Sequence, residues 1–487
     1  VEERRDIRLQ IVFKYIGMVL LFDSVFMLLS ALISYFNGID EGFAPLLLSF
    51  IFTAVIGGFP LIFVGKSDRL SSKESYAIVI GGWLASCIVG MFPYLLWGGE
   101  FSVINAWFES VSGFTTTGAS ILNNVEALPK GLLFWRSSTH WIGGIGVVMF
   151  ALVIMPMIGR SRMVVSNLEI SSMAKENYHY RSSKIMRILL GVYLGMTIAN
   201  TIALKIAGMG WFDAVNHALS TISTGGFSTR NASIGAYNSL TIELITIFFM
   251  FASSLHYGII YATIIGGKNN VFRTENSKFY IKATLLMCII VSLSLWANHT
   301  YGSLGEALRH GVFQVVTIVS TTGFATADTN IWPSLAVCVL IYLSLQGGMA
   351  GSTSGGLKSD RVLVAGKLIR ARITQQRHPN SIVRIKSNGS VQDASIANFA
   401  VLYIVIYGCI VLGGTLINAA CGLDTTTAFT ASVASTGNIG PGFGEVGSMS
   451  NFSAMPVVVK IVCTLQMLLG RLEIFGLLQF FLMKWWR

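Results

Sequence analysis

Apolar residues run along this chain in long blocks that few charges interrupt, not in the alternating or 3.6-residue stripes of a water-soluble domain. A membrane crossing needs about 20 such residues. Ten blocks qualify: 10–36, 43–65, 76–98, 134–158, 185–208, 240–266, 279–298, 333–350, 396–419 and 457–483. Four shorter, moderately apolar segments lie between them, at 102–114, 211–222, 304–320 and 424–434. They are too short to cross and read as re-entrant helices. After the first two blocks, the order long helix, short helix, loop, long helix occurs four times, at about 76–160, 185–266, 279–377 and 396–483. An internal repeat outranks local signals in deciding a fold. The expected fold is an all-α polytopic membrane protein. Four pseudo-repeated helix–pore helix–helix units surround one ion pore, and two extra transmembrane helices precede them. The expected divisions are 1–70 for the two-helix extension, then 71–180, 181–275, 276–390 and 391–487 for the four repeats.

Composition agrees with this pattern. Of the 487 residues, 53% are hydrophobic and 12% charged, against about 25% charged in an ordinary soluble domain. Mean hydropathy is +0.66. This excludes a disordered chain, a secreted disulfide scaffold and a soluble enzyme. The formal net charge of +11 would suggest nucleic acid in a soluble protein. Here most Lys and Arg fall in the N-terminus, the loops 66–73, 159–187 and 267–282, the segment 358–386 and the tail. All of these lie on one side if ten spans leave both termini inside, and positive loops mark the cytoplasmic side. Six cysteines without a CxxC pair read as small buried side chains. No cleavable signal is evident.

Each short helix ends in a similar loop: Thr115-Thr116-Thr117-Gly118, Ile222-Ser223-Thr224-Gly225, Ser320-Thr321-Thr322-Gly323 and Ala434-Ser435-Thr436-Gly437. These are the only four Thr-Gly dipeptides, one per repeat at the same point of the order. Their chemistry suits a dehydrated monovalent cation, because rings of carbonyl oxygens can replace its hydration shell. Gly accepts positive φ and lets successive carbonyls turn inward. Short helices aimed at the axis bring their negative C-terminal ends toward the ion. The candidate ion-contacting residues are Thr116, Thr117, Gly118, Ser223, Thr224, Gly225, Thr321, Thr322, Gly323, Ser435, Thr436 and Gly437. The alternative is a set of extracellular turns, where Thr, Ser and Gly are common.

These four units, with one filter glycine each, resemble the Trk/Ktr/HKT superfamily of potassium transporters. The two extra N-terminal helices resemble its bacterial TrkH branch, as do STHWIGGIGVVMF after the first loop, QGGMAGSTSGGLKSDR in the third repeat and STGNIGPGFG in the fourth. The resemblance covers essentially the whole chain. It implies that Gly118, Gly225, Gly323 and Gly437 are filter glycines. Gly rather than Ser at the first position implies potassium preference. It further implies residence in a bacterial inner membrane, a homodimer with one pore per subunit, and regulation by a cytosolic nucleotide-binding subunit of the TrkA type. The loops share only Thr and one Gly with the potassium-channel TVGYG filter.

The third repeat carries a distinctive run: Gly347, Gly348, Met349, Ala350, Gly351, Ser352, Thr353, Ser354, Gly355, Gly356. Gly costs about 1 kcal/mol relative to Ala inside a helix, so five in ten residues break it. The break falls at membrane depth below the filter loop, where a polar loop can obstruct an ion path. It is a candidate gate; the family resemblance agrees. The other reading is a plain helix end and linker. The stretch nearly matches a phosphate loop, but Leu357 separates Gly356 from Lys358 and no strand precedes it. No other nucleotide-site context occurs, and no cofactor is expected.

Arg471 falls midway along the last block. An intramembrane charge faces a cavity or a partner. It is expected to line the pore below the filter, where it lowers cation occupancy or holds the Gly-rich loop; pairing with a buried acid is the alternative. His217 and His256 are expected in helices without metal-ligand spacing. Asp213, Glu109 and Glu306 lie near outer entrances, as cation attractors or solvated charges. Residues 358–386 interleave Val362, Leu363, Ile369 and Ile373 with Arg361, Lys367, Arg370, Arg372 and Arg377, which suits a lipid-surface helix or a docking face.

The function read from the sequence is potassium uptake through a four-repeat filter, channel-like and gated by the third-repeat loop. A proton- or sodium-coupled symporter is the alternative, although such folds often use inverted repeats and these share one orientation. An intramembrane hydrolase with Ser352 or Ser354 as nucleophile needs a base within reach and leaves four matching loops unexplained.

Overall fold

Two helices of an N-terminal hairpin, α1 (Leu9–Phe36) and α2 (Phe43–Phe63), pack closely where Gly17 meets Gly57. A β-carbon on Gly57 would sit 2.8 Å from the Gly17 carbonyl oxygen, so only small residues allow this approach. The computed structural model describes residues 7–65, 70–146, 182–267, 270–378, 386–387, 390–391, 394–472 and 474.

Four units follow. The first comprises α3 (Ser72–Gly90), α4 (Phe92–Trp97), the short α5 (Val103–Phe114) and α6 (Lys130–Ile145). The second comprises α7 (Ser182–Ile206), the short α8 (Trp211–Ile222), α9 (Leu240–Ser253) and α10 (Tyr257–Ile264). The third comprises α11 (Glu275–Ala297), the short α12 (Leu304–Val319), α13 (Ser334–Gln346) and α14 (Ser359–Arg377). The fourth comprises α15 (Ala394–Ala420), the short α16 (Thr425–Gly437) and α17 (Val457–Arg471). A small antiparallel pair, Lys386–Ser387 with Ser390–Val391, lies between α14 and α15.

Local chemistry sets where the short helices start. Ser102, Ser303 and Asp424 accept hydrogen bonds from the backbone N–H of Asn105, Glu306 and Thr427, satisfying first-turn donors. Asp424 is exposed, and its bonds from Thr427 hold its carboxyl below the usual range. The cap is therefore complete at neutral pH and is lost as pH falls through that depressed value. Asp424→Ala should cost about 1 kcal/mol, seen as a lower thermal midpoint in detergent at pH 7; an unchanged midpoint would refute the cap's contribution. Pro129, Pro333 and Pro456 stand immediately before α6, α13 and α17, where a fixed φ favours helix entry.

Among the described residues, six helices are long and apolar enough to cross a membrane, and Phe59, Ile62, Ile206 and Leu416 are exposed on them. Such surface needs lipid as its solvent. The expected four short helices are present. Two of the remaining expected spans, 240–266 and 333–350, differ from straight crossings. The block 240–266 bends by 106° between α9 and α10. The helices α6, α13 and α17 run for only 16, 13 and 15 residues. The break expected in the third repeat alone thus has a counterpart in the second. At the α9–α10 bend no Gly or Pro is responsible. Tertiary hydrogen bonds take over the backbone groups instead, with Met349 N–H donating to Ser254 O and Tyr257 N–H to Gly351 O. His256 accordingly caps α10 through Gly258 N–H rather than sitting within a long helix. Cys338 and Cys409 lie exposed on the apolar surface, while Cys87, Cys288 and Cys463 are buried. Most of the 159–187 loop, residues 473 and 475–487, and the rest of the STHWIGGIGVVMF motif beyond Gly146 lie outside the described residues.

Candidate functional site

The four short helices end in one shared geometry. A residue with left-handed φ follows each: Thr116 (52°), Thr224 (56°), Thr321 (58°) and Asn438 (52°). Its N–H donates to the carbonyl three residues back, at Gly113, Thr221, Ile318 and Ser435. The next N–H donates five back, to Ser112, Ser220, Thr317 and Ala434. This is the Schellman termination, normally built on Gly. Three of the four positions hold β-branched Thr, for which positive φ is a strained outlier. Such strain persists where the surroundings over-determine it.

Two residues further on, a second positive φ falls on Gly118 (80°), Gly226 (86°), Gly323 (80°) and Gly440 (98°). These four glycines form a closed ring. A β-carbon on Gly118 would collide with the carbonyl of Gly225, one on Gly226 with that of Thr322, one on Gly323 with that of Ile439, and one on Gly440 with that of Thr117. Each contact joins a glycine to the residue just before the equivalent glycine of the next repeat. Hydrogen bonds between the outer loops close the same circle. Val125 N–H donates to Asn231, Gly235 N–H to Ala325 O, Gly444 N–H to Asn330, and Phe452 N–H to Ser120 O.

The ring corrects the register expected from the Thr-Gly dipeptides. In the first and third repeats, Gly118 and Gly323 occupy the ring position. In the second, Gly226 occupies it and Gly225 is equivalent to Thr117. In the fourth, Gly440 occupies it, while Gly437 ends α16 as the equivalent of Thr115. Ser435 and Thr436 therefore belong to the last helical turn, and Ser223 is the equivalent of Thr115. Asn438, unselected by sequence reasoning, replaces a Thr at the left-handed position. Its amide donates to Thr117 Oγ1 (3.0 Å) and Met467 O (2.9 Å). The signal that could have identified it is the tolerance of Asn for left-handed φ.

Two cavities flank the ring and share no lining residue. The first, about 180 Å³, is lined by Gly118, Gly226, Gly323 and Gly440 and by the loops leaving them. The second, about 110 Å³, is lined by Gly144, Tyr193, Tyr257, residues 351–356 and Arg471. The Gly-rich run forms a buried loop here. It leaves α13 at Gly347 (φ 67°) and returns to α14, with Ser359 N–H donating to Gly348 O. Thr353 Oγ1 donates to Ile222 O (3.0 Å), at the end of α8. Gly355 N–H donates to Thr321 Oγ1 (2.7 Å), and Gly355 lies against the carbonyl of Gly437. Ser352 Oγ and Ser354 Oγ lie 2.7 Å apart, and Ser352 also bonds to Met349 O. Gly351 (φ 78°) packs on the His256 ring, and Gly356 (φ 73°) on Gly347.

Arg471 spans the remaining gap. Its Nη1 donates to Thr353 O and its Nη2 to Gly143 O, both at 2.7 Å. Of the two roles expected for it, holding the loop is the one these contacts display. The loop and its arginine thus touch the inner ends of all four repeats. Glu109, expected near an entrance, is fully buried against Arg136. Asp213 accepts from Thr229 Oγ1 and pairs with Arg230, whereas Glu306 lies exposed in the first turn of α12. Chemically, the ring offers backbone oxygens from four equivalent strands, backed by the negative ends of four helices.

The comparisons with known proteins agree with this architecture. A model of the family described as "TrkH: Cation transport protein" matches residues 45–485. The Trk system potassium uptake protein TrkH of Salmonella typhimurium is 33% identical over 481 residues, 97% of this chain and 98% of that protein. The Trk system potassium uptake protein TrkI of Halomonas elongata is 31% identical over 420 residues, 86% of this chain and 85% of that protein. The crystal structure of the potassium transporter TrkH from Vibrio parahaemolyticus matches with a TM-score of 0.88 at 31% identity, covering 99% of this chain and all of that one. With the family match spanning nearly the whole chain and the four-repeat fold shared throughout, the chain belongs to the TrkH family of membrane cation transport proteins.

Proposed function

We propose that this protein carries potassium into the cell through the four-glycine ring, which acts as its selectivity filter. The observation that carries the reading is the closed succession Gly118–Gly226–Gly323–Gly440, each glycine abutting the next repeat's carbonyl. Four equivalent backbone strands around one axis suit a dehydrated monovalent cation, which asks for oxygen ligands and no fixed counter-charge. The relatives are named as potassium uptake proteins, which favours potassium over sodium. The Gly-rich loop with Arg471 serves as the gate, a reading supported by its contacts with Ile222, Thr321 and Gly143. The Lys- and Arg-rich segments support a cytoplasmic position for the loop side, in a bacterial inner membrane. Helix α14 exposes Ile369 and Ile373 among its arginines. That surface suits the cytosolic nucleotide-binding subunit implied by the family, and a homodimer remains part of the proposal.

Radiolabelled rubidium uptake into liposomes holding only this protein tests the reading. Uptake driven by a potassium gradient and competed by potassium but not by sodium is the expected result. Uptake that appears only with a proton or sodium gradient would replace the pore with coupled transport.

A further inference from the structure

Counting seven residues back from each left-handed residue along the short helices gives Glu109, His217, Gln314 and Ala431. In three repeats this side chain braces the segment that leaves the ring. Glu109 accepts from Ser120 Oγ (3.0 Å) and from Ile121 N–H (3.1 Å). His217 Nε2 shares a hydrogen bond with Ser228 Oγ (2.9 Å), and Gln314 donates to Ala327 O (3.4 Å). In the fourth repeat the neighbouring Thr430 does the same for Phe443 N–H (2.9 Å).

The first brace differs in kind, because it is ionic and crosses a seam. Arg136, on α6, is 2% exposed and Glu109 is fully buried. Arg136 Nε donates to Glu109 Oε1 at 2.8 Å and its Nη2 lies 2.7 Å from the same oxygen. The guanidinium also donates to Ser120 Oγ and to Ser228 O, each at 3.3 Å. It stacks 4.0 Å over the ring of Phe227, the residue after Gly226. One side chain therefore grips the strand leaving Gly118 and the strand leaving Gly226. Counted from the residue that precedes each helix, the matching positions of α9, α13 and α17 hold Thr246, Leu340 and Cys463.

We propose that the Glu109–Arg136 pair is a selectivity-determining positioning element of the first and second repeats. This inference rests on reading the ring as the filter. A ring that ligates potassium must contract to ligate the smaller sodium ion. A buried, multiply bonded guanidinium bridging two ring strands opposes that contraction, as supporting contacts hold any binding site to its working geometry. The pair acts through the backbone and does not itself touch the ion.

The test is the ratio of radiolabelled rubidium to radiolabelled sodium uptake into liposomes. It compares wild type with Glu109→Gln/Arg136→Gln, which removes both charges together, and with Arg136→Lys. The double variant should lose about tenfold in that ratio while still taking up rubidium, the size expected for one charge-assisted hydrogen bond. Arg136→Lys should recover part of the loss, since a point charge can pair with Glu109 but cannot bridge both strands. Ser120→Ala, which leaves the ion pair in place and is the milder change should the double variant not fold, should cost about threefold. An unchanged ratio in variants that take up rubidium would overturn the inference. Failure of both the wild type and the protein lacking residues 351–355 to take up either ion would overturn the filter reading beneath it.

Discussion

Gly440→Ala should abolish potassium-driven uptake, falling by about 100-fold or more, whereas Gly437→Ala should retain most of it. The two glycines lie three residues apart in one short motif, so the contrast is sharp. Gly440 has φ 98°, a conformation L side chains rarely adopt, and a β-carbon there would approach Thr117 O at 2.6 Å and Gly118 C at 3.2 Å. Neither neighbour can yield, because both are backbone of the first repeat's own ring segment. The displacement passes directly to Gly118, and a site mispositioned by about 1 Å loses on the order of 100-fold. At Gly437 the φ is helical, and an added β-carbon meets the flexible end of Ile439 at 2.9 Å and Ser344 O at 3.1 Å, outside the ring, contacts that a shift of a few tenths of an ångström relieves. Initial rates of rubidium uptake in liposomes decide the matter. If Gly437→Ala were silent and Gly440→Ala equally silent, the ring would not be the conducting element. If Gly437→Ala alone were lost, the Thr-Gly register would be right and the structural register wrong.

Arg471→Gln should raise uptake in the absence of any partner by about tenfold, and deletion of residues 351–355 should raise it at least as far. Arg471 contributes two charge-assisted hydrogen bonds, one to the loop at Thr353 and one to α6 at Gly143. Each such bond is worth about 1.5–3 kcal/mol, so losing their charge shifts a closed–open balance by a factor of ten or more. The substitution also removes a positive charge from beneath the ring, which favours cation occupancy. Both effects have the same sign. Rubidium uptake at fixed protein density, with elution volume in detergent as the check on folding, distinguishes this from a purely structural role. Unchanged uptake by the folded deletion variant would reject the loop as a gate.

Much of this molecule is legible in one dimension because lipid imposes a simple rule. Every backbone group at membrane depth must be bonded internally, so helices and their lengths follow from apolar block lengths. The four short segments, the repeat and the two-helix extension all follow from that rule. Arg471 was legible for a related reason, since a charge within an apolar block demands a cavity or a partner. The Gly-rich loop was legible through the helix penalty of its glycines.

What the sequence did not reveal are features held by contacts between repeats. The Thr-Gly dipeptide marked the loops that carry the ring, but in two of them not the residue at the ring position. A dipeptide cannot say which residue ends the helix in left-handed φ, and the second and fourth segments are offset by one and three residues. The bend at Ser254 has no local breaker, because the Gly-rich loop of another repeat supplies its hydrogen bonds. Glu109 read as an entrance charge because nothing nearby in sequence announces Arg136, 27 positions away. The sequence by itself determined a membrane-embedded, four-repeat helical protein with one breakable helix and one intramembrane arginine, since hydropathy and helix propensity are local properties. Only the tertiary structure decided the ring register, the ionic brace and the placement of the loop against the ends of three short helices, with Arg471 joining it to α6 of the first repeat, because each depends on groups far apart in the chain meeting around a common axis.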